Sequence, residues 1–203
     1  IVDDGSTDNS RQVIQSFDDR RIQTVFQENG GQAAAFNAGF ARASGELVAF
    51  LDSDDWWTKR KLRHVVRTFQ RYSDVSVVQH NMKVVDQYSQ PTGKQHPRIK
   101  PGTLDVLKDY FIVHHTNFFS ATSGIVCRRD NLEQIFPLDE EAWRICADVA
   151  FTRPMPIFGK VHTLKALLGA YRIHGSNTWM YSEAQSHHLE TQQKYIDYTN
   201  EWL

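Results

Sequence analysis

Cysteine is scarce in this sequence. The 203 residues include only two cysteines, Cys127 and Cys146, and these form no Cys-x-x-Cys pair. This argues against a disulfide framework and favours reduced thiols in a reducing compartment. Long apolar runs are also missing, because no stretch reaches the roughly 18 residues that a membrane-spanning helix needs. The sequence contains no pattern typical of a secretory signal peptide.

An excess of one charge sign is absent as well. The chain carries 23 basic and 24 acidic residues, so no overall positive field indicates nucleic acid as a partner. Hydrophobic residues make up 40% of the chain, which is enough for one globular domain with a sizeable core. We find no internal repeat and no low-complexity segment.

The first half of the chain alternates between strand-like and helix-like segments. Apolar runs typical of strands occur at 1–2, 21–27, 46–51 and 75–80. Between them, a short segment carrying Val13, Ile14 and Phe17 is predicted to be helical, as are residues 32–43 and 58–72. This order predicts an α/β fold with a mainly parallel sheet.

The helix predicted over 58–72 is strongly amphipathic. The apolar residues expected to face inward are Leu62, Val65, Val66 and Phe69. The basic residues expected mostly on the outer face are Lys59, Arg60, Lys61, Arg63, Arg67 and Arg71. In the less regular second half we predict a loop or hairpin over 86–103, strands at 122–129 and 167–174, and helices at 140–151 and 182–202.

The stretch FLDSDDWW places three carboxylates directly after an apolar strand. Asp3 and Asp4 follow the first strand in the same way. Because ligands of open α/β sheets bind at the carboxyl ends of the strands, both clusters are expected at a binding edge. Hard oxygen ligands at this density suit Mn²⁺ or Mg²⁺. The alternative is structural, since Asp54 or Asp55 near the start of the next helix would favour its dipole.

The combination of IVDDGSTDNS with ENGGQAAAFNAGFARASGELVAFLDSDDWW resembles the family 2 glycosyltransferases of the GT-A fold. The resemblance is dense from Ile1 to about Leu62 and continues more loosely to about Asn177. It implies one Rossmann-like domain, with a mainly parallel sheet flanked by helices, over 1–180 and a C-terminal helix over 181–203. Chains of this family normally begin with one more strand and helix, so we expect this chain to lack both.

The resemblance implies a nucleotide-sugar site near the start of the chain. In the family, the DDGS turn holds the base and ribose of the donor, which assigns Asp3 and Asp4 to the nucleotide. A carboxylate there can accept the imide N–H of uracil, so a UDP-sugar is the expected donor. The other residues assigned to the donor are Asn29, Asn37, Asp52 and Ser53.

The resemblance also implies a metal and a catalytic base. Asp54 matches the metal ligand of the Asp-x-Asp motif. His174 lies in a late segment, YRIHGSNTW, from which it can reach the metal, so both residues are expected to bind Mn²⁺ or Mg²⁺. Family 2 enzymes invert the anomeric centre, which requires a base for the acceptor hydroxyl. Asp148 matches this base, with Glu140 and Glu141 as alternatives.

The implied function is transfer of a sugar from a nucleoside diphosphate to a saccharide, lipid-linked or other hydroxyl acceptor in polysaccharide biosynthesis. Two other functions stay open: a metal-dependent nucleotidyltransferase, and a non-catalytic module that binds a nucleotide sugar or glycan within a larger protein. We expect a cytoplasmic location and peripheral association with the inner face of the cell membrane. The basic face of the helix over 58–72 is by default interpreted as a solvated face, and the alternative is that it meets anionic lipid there.

Overall fold

The strands form three groups in the computed structural model, which describes residues 1–106, 119–175 and 177. A parallel pair consists of β1 (Val2–Asp4) and β2 (Val25–Gln27). A five-stranded sheet has the order β3 (Leu47–Ala49), β9 (Ile125–Arg128), β5 (Val75–His80), β10 (Lys160–Leu164) and β8 (Gly102–Leu104). A four-stranded sheet has the order β4 (Trp56–Trp57), β11 (Gly169–Arg172), β6 (Met82–Val85) and β7 (Pro91–His96).

Strand directions in the five-stranded sheet are mixed. Strand β10 runs parallel to β5, whereas β9 runs antiparallel to both of its neighbours, β3 and β5. Strand β8 closes the edge antiparallel to β10. The predicted α/β class is thus confirmed, but a mainly parallel sheet is too simple a description. The strand predicted at 122–129 forms as β9, which lies between β3 and β5 and runs opposite to both. It therefore separates strands that share one direction.

The helices are shorter than the sequence predicts, especially in the second half. They are α1 (Ser10–Gln15), α2 (Gln32–Arg42), α3 (Lys61–Arg71), α4 (Arg129–Leu132), α5 (Asp148–Thr152) and α6 (Met155–Phe158), with a 3₁₀ turn at Thr122–Gly124. The helix predicted over 140–151 was wrong in its first part, where the chain forms turns. Cys146 has a left-handed φ of 56° there, which interrupts a continuous helix.

Aromatic packing in the main core brings the end of β3 next to α5. The rings of Phe50 and Phe151 stack with centroids 4.4 Å apart, and Phe36 of α2 contacts Phe50 edge-on at 5.2 Å. Phe50 is 7% exposed and Phe151 is fully buried, so each ring stabilises the fold by roughly 1.5–3 kcal/mol. Because Asp52 follows Phe50 and Asp148 precedes Phe151 by less than one turn, this packing also sets the two carboxyl groups near each other.

Helix α3 presents a different face to the core than its apolar pattern predicts. Lys61, Val65 and Phe69 are 0%, 2% and 5% exposed, whereas Leu62 and Val66 are 56% and 40% exposed. The expectation that Lys61 points outward, and Leu62 and Val66 inward, was therefore wrong. The spacing i, i+4, i+8 of the buried residues is still helical, and the rotation follows from the partners that Lys61 finds beneath the carboxylate cluster.

Strands β1 and β3 are among the end strands that pair on one side only within the described residues. Strand β1 pairs with β2 alone, and β3 pairs with β9 alone. The expected absence of a first strand and helix stays a prediction. So does the domain boundary at 180, because the predicted C-terminal helix falls outside the described residues. In the part of the chain that the structure describes, no helix has the length and apolar character needed to cross a membrane.

Candidate active site

A cavity of about 480 Å³ opens at the end of the sheets, where β1, β3 and β11 lead into their loops. The predicted site residues that line it are Asp4, Asn29, Asp52, Asp54, Asp148 and His174. These residues come from five separate segments of the chain, so the cavity gathers most of the predicted constellation in one place. Asp3, Asn37 and Ser53 are not among the residues that line it.

Asp54 and His174 form a pair at the wall of this cavity. Nε2 of His174 lies 2.9 Å from Oδ2 of Asp54. Two contacts of Arg172 hold the segments together: its backbone N–H donates to Oδ1 of Asp55 at 3.0 Å, and its Nε donates to the carbonyl oxygen of Asp54 at 2.9 Å. Asn177 closes the turn after β11, since its Nδ2 donates to the carbonyl of Arg172 at 2.9 Å. Hydrogen bonds to backbone atoms therefore fix both segments that carry the pair, the loop of Asp54 and the turn after β11.

The Asp54–His174 pair fits a divalent cation that the substrate helps to hold. One carboxylate oxygen and one imidazole nitrogen suit Mn²⁺, whereas Mg²⁺ favours oxygen ligands alone. Across the described ranges there is no group of three or more His, Cys, Asp or Glu side chains arranged to hold a metal ion. A metal at this pair would thus need further oxygen ligands, such as those of a diphosphate.

Asp52 and Asp148 are the two carboxyl groups with the most perturbed electrostatics. Burial raises the pKa of Asp148, although Oγ1 of Thr122 donates to its Oδ2 at 3.2 Å and opposes the rise. Burial, followed by the charges of Asp148, Asp55 and Asp54, raises the pKa of Asp52 to about 7. Perturbed pKa values of this kind are common where side chains transfer protons or bind charged ligands.

Tyr171 of β11 also lines the cavity, where several carboxylates act on its phenol. Burial, together with the charges of Asp55, Asp54, Asp52 and Asp148, raises the pKa of its phenol to about 12. The phenol therefore stays protonated at neutral pH and can donate a hydrogen bond. Its position near Asp52, Asp54, Asp55 and Asp148 was not apparent from the sequence.

Lys61 is the buried cation beneath the carboxylate loop. Its ammonium donates to the carbonyl oxygen of Ser123 at 2.6 Å and lies 4.0 Å from the centre of the Trp57 ring. Burial lowers its pKa to about 7, while the charge of Asp55 opposes the shift. Asp55 is itself 8% exposed, burial raises its pKa, and its Oδ2 has no hydrogen-bond partner. Below about pH 7, Lys61 therefore supplies part of the positive charge beneath these carboxylates.

Asp4 shapes the opposite wall of the cavity through a backbone loop. Its Oδ1 accepts from the N–H of Gly30 at 2.9 Å and from Nε2 of Gln27 at 2.7 Å, and its Oδ2 accepts from the N–H of Gly31 at 2.8 Å. Gly31 has a φ of 92°, a conformation that favours glycine. Asn29 donates to the carbonyl of Asp4 at 2.9 Å. The carboxylate is therefore occupied in holding the loop.

The remaining three predicted residues lie outside the cavity wall. Asp3 is buried and accepts the N–H of Ser6 at 2.9 Å; hydrogen bonds from Ser6 lower its pKa. Asn37 exchanges two hydrogen bonds with the backbone of Leu138, at 2.9 Å from its Nδ2 and 2.8 Å to its Oδ1. Ser53 is exposed at the surface of its loop. The geometry gives Asn37 a structural tie between α2 and the second half of the chain.

Sequence reasoning missed several residues that shape the site. Those that line the cavity are Thr122, Arg144, Arg153 and Tyr171. Arg144 is anchored by its guanidinium, which donates to Oδ1 of Asn29 at 2.6 Å and to the carbonyl of Gly30 at 3.1 Å. None of them was predicted as a site residue, and only the fold brings them together in one cavity. For Lys61 a signal existed, since it shares the i, i+4, i+8 stripe with Val65 and Phe69.

The comparisons with known proteins identify the family of this chain. Residues 1–136 match the family described as glycosyl transferase family 2. The chain belongs to this family. A relative from Nostoc sp., named uncharacterized glycosyltransferase alr2836, is 40% identical over 210 residues, covering all of this chain. The chain spans 64% of that relative's length.

Solved structures of glycosyltransferases share the fold. S. aureus TarS in complex with UDP-GlcNAc superposes with a TM-score of 0.69 at 20% identity, over 89% of this chain and 51% of that one. A mannosyltransferase from Pyrobaculum calidifontis in complex with GDP-Man and Mn²⁺ gives a TM-score of 0.59 at 18% identity, over 87% of this chain and 48% of that one. These similarities confirm the predicted GT-A fold of this family 2 chain.

Proposed function

We propose that this protein transfers a sugar from a UDP-sugar to a hydroxyl acceptor, with inversion, in one displacement assisted by a divalent metal and an aspartate base. The observation that carries the proposal is the shared cavity, which holds the Asp54–His174 pair and Asp148 within about 480 Å³. Diphosphate recognition and proton removal must act on the same donor and acceptor, so the groups that perform them need one common space.

Asp148 is the proposed base. It stands at the first position of α5 and lines the cavity, whereas Glu140 and Glu141 do not. Burial raises its pKa, which makes its carboxylate a stronger proton acceptor than an ordinary aspartate. In an inverting transfer it would take the proton of the acceptor hydroxyl as that oxygen attacks the anomeric carbon and the bond to the diphosphate breaks.

Asp54 and His174 are the proposed metal ligands, with Mn²⁺ favoured over Mg²⁺ by the imidazole nitrogen. When bound, the metal supplies Lewis-acid stabilisation of the departing diphosphate. Asp52 would face the donor's ribose and sugar from the same loop, whereas Ser53 is exposed outside the cavity and is given no donor contact. The bound UDP-GlcNAc of TarS and the Mn²⁺ of the Pyrobaculum enzyme support this choice of donor and metal.

The nucleotide is proposed to lie along the wall that Asp4 and Asn29 build. Since the Asp4 carboxylate already accepts three hydrogen bonds, its role would be to hold the Gly30–Gly31 backbone against the ligand. Asp3 is the candidate for the uracil imide, because its Oδ2 is buried without a hydrogen-bond partner. Asn37 would act at a distance, by fixing α2 on the second half of the chain.

The acceptor is proposed to be a saccharide or a lipid-linked hydroxyl, reached by a cytoplasmic protein that binds the inner membrane face peripherally. The outer face of α3 supports membrane contact. It exposes Leu62 and Val66 beside a row of exposed cations: Lys59, Arg60, Arg63, Arg67 and Arg71. Each cation near an anionic surface contributes about 1 kcal/mol.

The test is nucleotide binding followed by turnover. UDP with MnCl₂, at about 100 times its dissociation constant, should raise the free energy of unfolding by roughly 2.7 kcal/mol. Asp54→Ala should abolish this metal-dependent gain, whereas Asp18→Ala, which removes an exposed carboxylate elsewhere, should keep it. Asp148→Asn should keep the gain but lose UDP release from UDP-glucose or UDP-GlcNAc.

Two outcomes would contradict the proposal. The first is a wild-type protein whose stability does not respond to UDP and Mn²⁺, which would remove the assigned donor and metal. The second is an Asp148→Asn variant that turns over donor at the wild-type rate, which would remove the base. A wild-type protein that binds UDP but never releases it from any donor would instead indicate a binding module.

A further inference from the structure

We propose that Thr122 is a positioning residue for the transfer reaction, because its hydroxyl fixes the orientation of the Asp148 carboxylate. This inference rests on the proposed function, in which Asp148 is the base. Thr122 opens the 3₁₀ turn before β9, at the start of the segment predicted as a strand over 122–129, and was not itself predicted as a site residue. It lines the cavity and is only 5% exposed.

The contact itself is a single directed hydrogen bond. Oγ1 of Thr122 lies 3.2 Å from Oδ2 of Asp148. An ionised carboxylate only accepts, so the threonine hydroxyl must donate here. The single hydrogen of this hydroxyl is therefore directed at Asp148.

The turn that carries Thr122 is held rigidly from the side of the Asp-x-Asp loop. Oγ of Ser123 accepts the backbone N–H of Asp52 at 2.9 Å, and the carbonyl of Ser123 accepts from Nε1 of Trp57 at 2.8 Å. Gly124 follows, where a Cβ would lie 2.7 Å from the carbonyl oxygen of His80. Because the turn is fixed on this loop, the Thr122 hydroxyl transmits the position of the donor-binding loop to Asp148.

Asp148 needs such a constraint because its own backbone is poorly determined by local structure. Helix α5 has only five residues, and the loop before it contains the left-handed Cys146. The charged and titratable groups that face Asp148 are Asp52 on its loop, Arg153 of its own segment and Tyr171 of β11. None of these groups is a neutral hydrogen-bond donor held in a turn, whereas the Thr122 hydroxyl is.

The test compares Thr122→Val, which keeps the shape and removes the hydroxyl, with Thr122→Ser, which keeps the hydroxyl. Carboxyl ¹³C NMR titration gives the Asp148 pKa in each protein, and UDP release from UDP-glucose and UDP-GlcNAc gives turnover. Thr68→Val is the matched control, because it removes a buried hydroxyl that donates to the carbonyl of His64 in α3.

Loss of the Thr122 hydroxyl should change both the pKa of Asp148 and the turnover rate. Thr122→Val should raise the Asp148 pKa, since a lost donor to a carboxylate disfavours its charged form. It should lower kcat about 10- to 100-fold, as loss of a partner that orients a reacting group typically does, and UDP affinity should stay within about twofold of wild type. The rising limb of the pH–rate profile should move to higher pH. Thr122→Ser should restore both quantities, and Thr68→Val should leave them unchanged.

The outcomes separate this inference from the proposed function. If the wild type turns over donor and Thr122→Val has the same Asp148 pKa and the same kcat, the positioning role is wrong while the proposed function stands. If the wild type releases no UDP, or Asp148→Asn stays active, the proposed function falls and this role falls with it. If Thr122→Val does not fold, Thr122→Ala against Thr122→Ser gives the same comparison.

Discussion

Lys61 provides a direct test of how charge is buried beneath the carboxylate loop. Replacing it by methionine, which has a similar length, removes a fully buried ammonium without leaving a large cavity. In the folded protein the pKa of Lys61 is lowered from 10.5 to about 7, chiefly by burial. The difference is worth about 1.36 kcal/mol for each pH unit, or roughly 5 kcal/mol in total.

The sign of the effect follows from proton binding. Between pH 7 and 10.5 the unfolded chain keeps the Lys61 proton while the folded chain has lost it, so the unfolded state binds more protons. The free energy of unfolding must then rise with pH in this window. The penalty of the buried charge is fully present below pH 7 and is lost as the pH approaches 10.5. From pH 7 to 9 the contribution of Lys61 should be about 2 kcal/mol, because the folded protein is still half protonated at pH 7.

Urea unfolding followed by tryptophan fluorescence measures this quantity at each pH. Wild type minus Lys61→Met isolates one residue, because the other titrating groups contribute equally to both proteins. Lys59→Met removes an exposed lysine two residues earlier and should follow the wild-type curve. A difference between wild type and Lys61→Met that stays flat from pH 7 to 9 would refute the reasoning, since Lys61 would then remain charged in the fold, compensated by Asp55.

Two further predictions concern residues outside the cavity. Asn37→Ala should lower the free energy of unfolding by about 1–3 kcal/mol, because it leaves the buried backbone of Leu138 without partners. The variant should still be stabilised by UDP and Mn²⁺. If it lost this binding while its stability stayed unchanged, Asn37 would instead be a ligand-binding residue. The double variant Arg63→Glu, Arg67→Glu should abolish sedimentation of the protein with phosphatidylglycerol vesicles. The control double variant Arg20→Glu, Arg42→Glu makes an equal change of exposed charge and should still sediment. Equal losses in both variants would indicate a non-specific charge effect.

Local sequence patterns predicted much of the first half correctly. The strands at 46–51 and 75–80 and the helices at 32–43 and 58–72 all form, within a few residues of the predicted bounds. Apolar periodicity was sufficient there because each segment packs one face or both faces on the core. In the second half the pattern failed over 140–151, where the turn at Cys146 depends on contacts with α2 that lie over a hundred residues away, such as Gln32 Oε1 with the N–H of Ala147 at 2.7 Å.

The sequence by itself determined at which side of the fold these carboxylates lie. Asp4, Asp52 and Asp54 each follow an apolar strand, and the ends of strands gather at one side of an α/β fold. Their residue types and spacing were enough to predict the family and a metal-assisted site. That prediction required no knowledge of packing, because the end of a strand is a local property of the chain.

Only the tertiary structure decided what surrounds these carboxylates. Neither Thr122, Tyr171 nor the buried Lys61 was singled out from the sequence, and their electrostatic effect depends on burial that no local pattern encodes. The pKa of Asp52, for example, is raised by burial and then by the charge of Asp148, which lies 96 residues later in the chain. A motif is a local pattern of the sequence, whereas charge and desolvation act through space. The chemistry of the site is therefore defined only when the chain is folded.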